Sequence, residues 1–298
     1  MKGFINIGNT CYLNSGLQLI IRIKEIHNII NNYRNQDDDL DKVIKFFDIY
    51  YNDSEALLLS NSSLMNERDN NMDPREIKNI INKTSGIFNG YNQEDSEEFI
   101  NYFIDFLDEK CNRINVLNKN PIKKLLETTI NKSIKCKALN CLKISNTIEN
   151  LPIINLAIIS EDLKKLDTLD KCLIEFLKRE KLDNDNKYFC ENCNKLRIAS
   201  KRSEIKSMPN NIIFSLKRYN RRNKNNIEVD MPLEWNGYNL QGIVYHSGGI
   251  SGGHYIYIGK EENEWYIFND SCINKLNVNQ LNQLNQYKNY GYIYHYSK

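Results

Sequence analysis

The chain has 298 residues, 41% hydrophobic and 26% charged, with a formal net charge of +2. This is ordinary for a folded globular protein and long enough for one large domain with an insertion. So small a net charge argues against whole-molecule attraction to nucleic acid or to an anionic membrane. The first apolar run, 17–23, is cut by Arg22 and followed by Lys24 and Glu25, so it reads neither as a leader nor as a membrane span. Eight scattered cysteines without an export signal point to a reducing compartment, cytoplasmic or nuclear. There, cysteine pairs are read first as metal or catalytic groups.

The chain opens on Gly3-Phe4-Ile5-Asn6-Ile7-Gly8-Asn9-Thr10-Cys11-Tyr12-Leu13-Asn14-Ser15. Apolar residues at Leu13, Leu17, Ile20 and Ile21 predict a helix over 12–33, with Asn9 or Thr10 as its N-cap. Cys11 then falls in or beside the first turn, where unpaired backbone N–H groups and the helix dipole favour a thiolate. The competing reading is a small buried core cysteine.

Residues 35–71 are polar, with the acidic run Asp37-Asp38-Asp39, read as a solvated face, and a short helix-like piece at 43–50. Asp73-Pro74 predicts another helix, with Pro at its first position and Ile77, Ile80 and Ile81 on one face. Gln93-Glu94-Asp95-Ser96-Glu97-Glu98-Phe99 heads an amphipathic helix continued by Tyr102, Phe103, Phe106 and Leu107. Acids belong at a helix N-terminus for dipole reasons, and so dense a cluster also suits a basic partner. Strand-like patterns follow at 129–134, 142–148 and 152–159, then a helix at 168–178 and a basic strand at 195–205. The apolar run 212–216 reads as a buried strand closed by Lys217-Arg218-Tyr219. Further strands are expected at 238–245, 254–259, 265–268 and 290–296, making a mixed α+β chain.

Cys190-x-x-Cys193 suits half of a tetrahedral zinc site, and Cys136-x4-Cys141 is a wider candidate for the other half. Four thiolates would close the coordination sphere, so the metal would be structural.

Only four histidines compete for a catalytic role. His27, in the first helix, and His295, in the last strand, read as structural. His254 follows a glycine-rich stretch and starts an alternating strand that turns back at 260–263 into Trp265-Tyr266-Ile267-Phe268-Asn269-Asp270. A hairpin centred between Glu261 and Glu262 sets His254 opposite Asn269 and turns Asp270 to the other face. A Cys-His-Asn set is a recognised nucleophilic constellation.

Four blocks stand in one order: 3–15; 93–99; the cysteine knuckles with Pro209…Leu216-Lys217-Arg218-Tyr219; and Gly252-Gly253-His254-Tyr255…Trp265-Tyr266-Ile267-Phe268-Asn269-Asp270-Ser271. Together they resemble the ubiquitin-specific protease family of deubiquitinating cysteine proteases, from Gly3 to about Tyr296. The resemblance implies a papain-like α+β fold: a helical thumb over 1–124, zinc-bearing β fingers over 125–210 and a β-rich palm over 211–298. It implies Cys11 as nucleophile, His254 as general base and acid, Asn269 as third triad member, Asn6 at the oxyanion hole and Asp270 in support. Gln93, Asp95, Glu98, Gly253 and Tyr255 match the cleft for the ubiquitin tail. Zn²⁺ on Cys136, Cys141, Cys190 and Cys193 is the only cofactor implied. The expected partners are ubiquitin and ubiquitinated proteins, with no nucleic acid, no membrane and a monomeric state. A first cysteine so near the chain start is expected to leave no room for a preceding targeting or adaptor domain. Rival readings are a protease for another ubiquitin-like modifier, a catalytically inactive ubiquitin-binding module and a zinc-ribbon nucleic-acid binder. The near-neutral charge and the lack of a basic-aromatic pattern weigh against the last.

Overall fold

The structure, a computed structural model, describes residues 1–51, 65–66, 71–115, 117, 119–219, 223–249, 252–276 and 281–298. Part of the polar stretch read at 35–71 lies outside these residues. The first helix, α1 (Cys11–Ile21), is buried along its whole length. Gly16 makes this possible: a Cβ there would fall 2.5 Å from the Phe99 ring on a crossing helix. The helix expected over 12–33 breaks in two. Ile23 leaves helical geometry (φ −83°, ψ 83°), and α2 (Lys24–Asn31) restarts with Ile26 and Ile30 buried. Apolar spacing continues across the break, so periodicity alone does not reveal it.

The third helix, α3 (Asp38–Tyr51), is longer than the piece expected at 43–50 and buries Leu40, Val43, Ile44 and Phe47. Its acidic start is not simply solvated: Lys110 Nζ reaches Asp37 Oδ1 at 2.8 Å and Asp39 Oδ2 at 3.0 Å. The short strands β1 (Met65–Asn66) and β2 (Asn71–Met72) pair next, and Met72 bridges to Phe4. In α4 (Arg75–Thr84), Pro74 stands at the N-cap rather than the first helical position. Asp73 Oδ1 accepts from Arg75 N there at 2.9 Å. Helix α5 (Ser96–Ile114) is capped by Asp95, whose side chain accepts from the backbone N–H of Glu97 and Glu98. It is followed by α6 (Pro121–Leu126), whose first turn donates to Asp108.

Strands β3 (Thr128–Cys136) and β4 (Ile144–Leu151) form a hairpin, and β5 (Ile153–Leu156) leaves it for another sheet. After α7 (Leu169–Phe176), capped by Thr168, come β6 (Glu180–Leu182), β7 (Tyr188–Cys190), β8 (Lys195–Arg197) and β9 (Ala199–Ser207). The basic strand expected at 195–205 is thus two strands, because β8 pairs with β7 while β9 pairs with β3 and β6. The remaining elements are β10 (Asn211–Leu216), β11 (Glu234–Trp235), β12 (Tyr238–Gly248), β13 (Gly253–Glu261), β14 (Glu264–Asn269), β15 (Cys272–Lys275), α8 (Leu281–Tyr290) and β16 (Ile293–Ser297). The strand expected from Tyr290 starts three residues later. Tyr290 instead ends α8, a helix rich in Asn and Gln that gives little apolar periodicity.

Among the described residues the strands form four groups: the β1–β2 pair, a sheet of order β15-β14-β13-β12-β16-β10-β5 with β11 on β12, a sheet of order β4-β3-β9-β6, and the β7–β8 hairpin. One core packs the helices around α1, with Phe4, Leu13, Leu17, Phe99 and Phe103 at its centre. The other lies between the large sheet and α7, around Leu156, Leu169, Phe214 and Tyr296. Arg218 ties the loop before β16 into place. It is buried and donates to the carbonyls of Gly291 (2.6 Å), Ile227 (2.7 Å) and Asn289 (2.9 Å).

Candidate active site and cysteine cluster

Cys11 is the first residue of α1, where sequence reasoning puts it. Thr10 holds the cap position but makes no side-chain cap bond; its Oγ1 accepts from Ile7 N at 3.0 Å instead. Asn9 adopts φ 52° and Gly8 φ 108°, so the chain doubles tightly into the helix. That turn wraps Asn6, whose Oδ1 accepts from Gly8 N (3.1 Å) and Thr10 N (3.3 Å).

Cys11 and His254 meet where α1 packs against β13. His254 is pushed up to about 9, first by the neighbouring Cys11 thiol and then, against the effect of burial, by its bond with Asn269. Asn269 Oδ1 lies 2.6 Å from His254 Nε2. With Nε2 donating to Asn269, Nδ1 is the nitrogen left for Cys11.

The route to this contact differs from the sequence expectation. The hairpin turns at Glu262 and Asn263, with Glu261 opposite Glu264 and Tyr257 opposite Phe268. Glu262 takes φ 54°, which makes the two-residue turn possible. The register is therefore displaced by two residues from the expected one. Because side chains repeat every two residues, Asn269 keeps its face and reaches His254 diagonally rather than directly.

Asp270 is a second correction. It does not alternate to the far face, because it has left the strand with φ 51°. Its carboxylate accepts from Asn14 Nδ2 at 2.7 Å and from Asn6 Nδ2 at 2.9 Å, and lies 4.0 Å from His254 Nε2. Asn14, which sequence reasoning missed, stands three residues after Cys11, nearly one helical turn on. That spacing is the signal that could have found it.

The acidic block divides by role. Asp95 is fully engaged: besides its capping bonds, it accepts from Tyr255 Oη (3.1 Å) and from Tyr292 Oη (3.1 and 3.2 Å). It thereby joins the start of α5 to β13 and to the residue before β16. Gln93 Oε1 accepts from Gly253 N at 2.9 Å, crossing between the same two regions. Glu98 remains exposed, and burial followed by the charges of Asp95, Glu94 and Glu97 raises its pKa. A cleft of about 300 Å³ runs among Gln93, Glu94, Asp95, Glu98, Tyr219, His246, Gly249, Gly252 and Tyr255. His246 and Tyr219 are further residues without an assigned role in the sequence. His246 Nδ1 lies 2.5 Å from Tyr219 Oη, and its ring packs on Tyr255 at 4.3 Å. Burial pushes His246 down to about 4, helped by Lys224 and His254, so it is neutral near pH 7. His27 and His295 sit elsewhere: His27 pairs with buried Asp48 at 2.7 Å, and His295 bonds Asn211 at 3.0 Å.

Near the ends of β3 and β7, Cys136, Cys141, Cys190 and Cys193 come together, with all four Sγ atoms within 4.8 Å of one another. Cys141 Sγ and Cys190 Sγ are 3.7 Å apart. Tetrahedral thiolates about 2.3 Å from one metal stand roughly 3.8 Å apart, so the set can hold a metal ion. The wide first knuckle closes because Asn140 turns with φ 64°, and Asn194 (φ 50°) serves the second.

A cysteine at a helix N-terminus, beside a histidine whose other face meets an amide, is an arrangement that suits thiol chemistry on a mixed α+β scaffold. A family model described as ubiquitin carboxyl-terminal hydrolase matches residues 2–296, and the chain belongs to that family of cysteine-type deubiquitinases. Among solved structures it is similar to the SAGA DUB module Ubp8/Sgf11/Sus1/Sgf73 bound to monoubiquitin, and to the same module bound to ubiquitin aldehyde. In each case the TM-score is 0.73 at 23% identity, over 100% of this chain and 69% of the other. The likeness bears on the fold: this chain has that of a ubiquitin-specific protease catalytic domain, and its cysteine cluster is consistent with a zinc ribbon. No described helix is long and apolar enough to cross a membrane.

Proposed function

We propose that this chain hydrolyses the peptide or isopeptide bond after the C-terminal glycine of ubiquitin. Cys11 Sγ attacks the glycine carbonyl, and the C=O electrons move onto oxygen. The backbone N–H at Cys11 and Asn6 Nδ2 stabilise that oxyanion; one Asn6 hydrogen goes to Asp270, leaving the other for substrate. His254 protonates the departing amine as the C–N bond breaks, leaving a Cys11 thioester. It then takes a proton from water, which attacks the thioester and expels the Cys11 thiolate. Asn269 orients the imidazole throughout, and Asp270 holds Asn6 and Asn14 around it. Gln93, Asp95 and Tyr255 form walls of the tail cleft, Gly253 stands beside it bonded to Gln93, and Glu98 is exposed to meet a basic residue of the tail.

In the same reading the helices of 1–124 are the thumb, the sheet and knuckles of 125–210 the fingers, and the sheet of 211–298 the palm. Zn²⁺ on the four cysteines would tie the ends of the finger strands together, with no part in the chemistry. The Cys11–His254–Asn269 contact carries the proposal, and the two ubiquitin-bound neighbours favour ubiquitin over another modifier. The test is mass spectrometry after exposure to ubiquitin bearing a C-terminal electrophile, beside the same probe built on other modifiers. An adduct on Cys11 with ubiquitin, absent from Cys11→Ala, is expected. Reaction with another modifier alone would move the substrate, and no adduct from folded, reduced protein would overturn the reading.

A further inference from the structure

The two elements that bring Cys11 and His254 together run side by side. Cys11 opens α1 and His254 stands at the start of β13. At their far ends stand Arg22, the C-cap residue of α1, and Glu261, the last residue of β13. Arg22 Nη2 and Glu261 Oε1 form an ion pair at 2.9 Å. One pair of ends thus carries the reactive groups and the other a fixed electrostatic clasp, about 16 Å away along the helix at 1.5 Å per residue.

The surroundings of Arg22 suit a clasp better than filler. Its side chain is only 8% exposed, and burying a charge is costly unless it is paired. The guanidinium carbon lies 4.1 Å from the Phe268 ring centroid and 4.9 Å from that of Tyr257. Phe268 directly precedes Asn269, so one cation touches the strand of His254 and the strand of Asn269 together. Nη1 also donates back to Gln18 O at 2.8 Å, tying the group to its own helix. On β13, a side chain at Gly259 would meet the Tyr257 ring at 2.4 Å and Arg22 Nε at 3.2 Å, so the strand is bare where it passes the guanidinium. Apolar packing is non-directional and lets a helix slide along a sheet, whereas a close ion pair between two fixed points favours one axial position.

We propose that Arg22, clasped to Glu261, is a positioning residue that fixes α1 lengthwise against β13 and so sets the approach of Cys11 to His254. The inference rests on the function proposed above for the catalytic pair. Its first test does not require turnover. The groups facing His254 are Cys11, Asn269, Asp270 and His246. None of them is altered in Arg22→Met or Glu261→Gln, so a change in the His254 titration reports geometry.

The His254 ring proton would be followed by NMR from pH 5 to 10 in the parent, in both single variants and in the double variant, with kcat and KM measured on a ubiquitin C-terminal reporter. In Arg22→Met, His254 is expected to titrate lower than in the parent. A shift of a few tenths of an ångström should lower kcat by about tenfold, and KM should move by less than about twofold. The double variant should be no worse than Arg22→Met alone, since both changes open one clasp. Arg22→Lys should restore part of the loss. A His254 titration and a kcat equal to the parent's, whatever happens to Tm, would overturn the proposal. If Arg22→Met does not fold, Glu261→Gln carries the same comparison, because Glu261 is one-third exposed. A lowered His254 titration in protein that never cleaves ubiquitin would support the clasp while refuting the substrate reading.

Discussion

Asn14 Nδ2 donates to Asp270 Oδ1 at 2.7 Å, joining the helix of Cys11 to the residue just beyond Asn269. Asn14 is 3% exposed, and the same amide group lies 3.3 Å from the carbonyls of Phe4 and Ile5. Asp270 in turn accepts from Asn6. A single carboxylate therefore orders both sides of the proposed oxyanion site.

That arrangement makes Asp270→Asn a sharp test. The amide that replaces one carboxylate oxygen would face the Asn14 or the Asn6 N–H, donor against donor. Hydrogen bonds to charged groups contribute about 1.5–3 kcal/mol, so kcat/KM should fall by roughly 10- to 100-fold. Stability should fall as well, because Asn14 would lose a charged partner. Kinetics on a ubiquitin reporter with a parallel thermal melt check both; an unchanged kcat/KM would remove Asp270 from the machinery.

The pH dependence follows from His254. Its pKa is raised from the ordinary 6.5 to about 9, so the folded protein holds this proton more tightly than the unfolded chain. The associated stabilisation is complete below about 6.5 and is lost as pH rises through about 9. Reaction with a ubiquitin electrophile should decline over the same alkaline range. In Cys11→Ala the leading cause of the rise is gone, so His254 should titrate closer to 6.5 by NMR. A histidine still near 9 without the thiol would show that Asn269 and Asp270 set its basicity.

Much of this site was legible in the sequence because its parts lie in short continuous blocks with fixed spacing. Cys11 falls at a helix start because capping residues and apolar periodicity are local signals. Asn269 keeps the face of His254 despite a register displaced by two, since an even displacement preserves the face. Asp270 was misplaced because the left-handed turn that redirects it leaves no mark on the alternation. The break at Ile23 and the helix Leu281–Tyr290 were hidden for related reasons. In one the apolar spacing runs on, and in the other there is almost none. The crossings made by Asp95, Gln93 and Tyr219 depend on residues far apart in the chain, which no local pattern brings together.

The cysteine cluster makes a prediction about metal. Zn²⁺ should be present at one per chain and be released by a mercurial reagent, as read by a colorimetric dye. Cys193→Ser should lose it and lower Tm, since a closed four-thiolate site contributes directly to folding free energy. Alkylation of Cys11 by a small reagent should be unchanged, because the cluster joins β3 to the β7–β8 hairpin and not α1 to β13. A rise in KM for ubiquitin, with little change in alkylation, is the expected signature. Metal-free protein with the parent's Tm would refute the zinc assignment.

The two glycines before His254 are required for different reasons. Gly252 has φ +152°, which a side chain rarely adopts, and a Cβ there would come 2.7 Å from Gln93 Oε1. Gly253 has no such backbone demand, but a Cβ would stand 2.2 Å from Ser247 O and 2.3 Å from His246 Nε2. The first of these is backbone in the paired strand, and the second is a ring held by Tyr219 and packed on Tyr255. Neither yields without moving β13, and His254 is the next residue. Gly253→Ala is therefore expected to lower Tm and to cut the rate of ubiquitin-probe labelling by about 100-fold or more, as a 1 Å misplacement does elsewhere. Gln93→Ala should do less: it removes only the bond to Gly253 N and leaves the β12–β13 pairing intact. Combining His246→Ala with Gly253→Ala removes one of the two clashes and should recover part of the stability. Labelling of Gly253→Ala at the parent's rate would mean that His254 is not held by this strand.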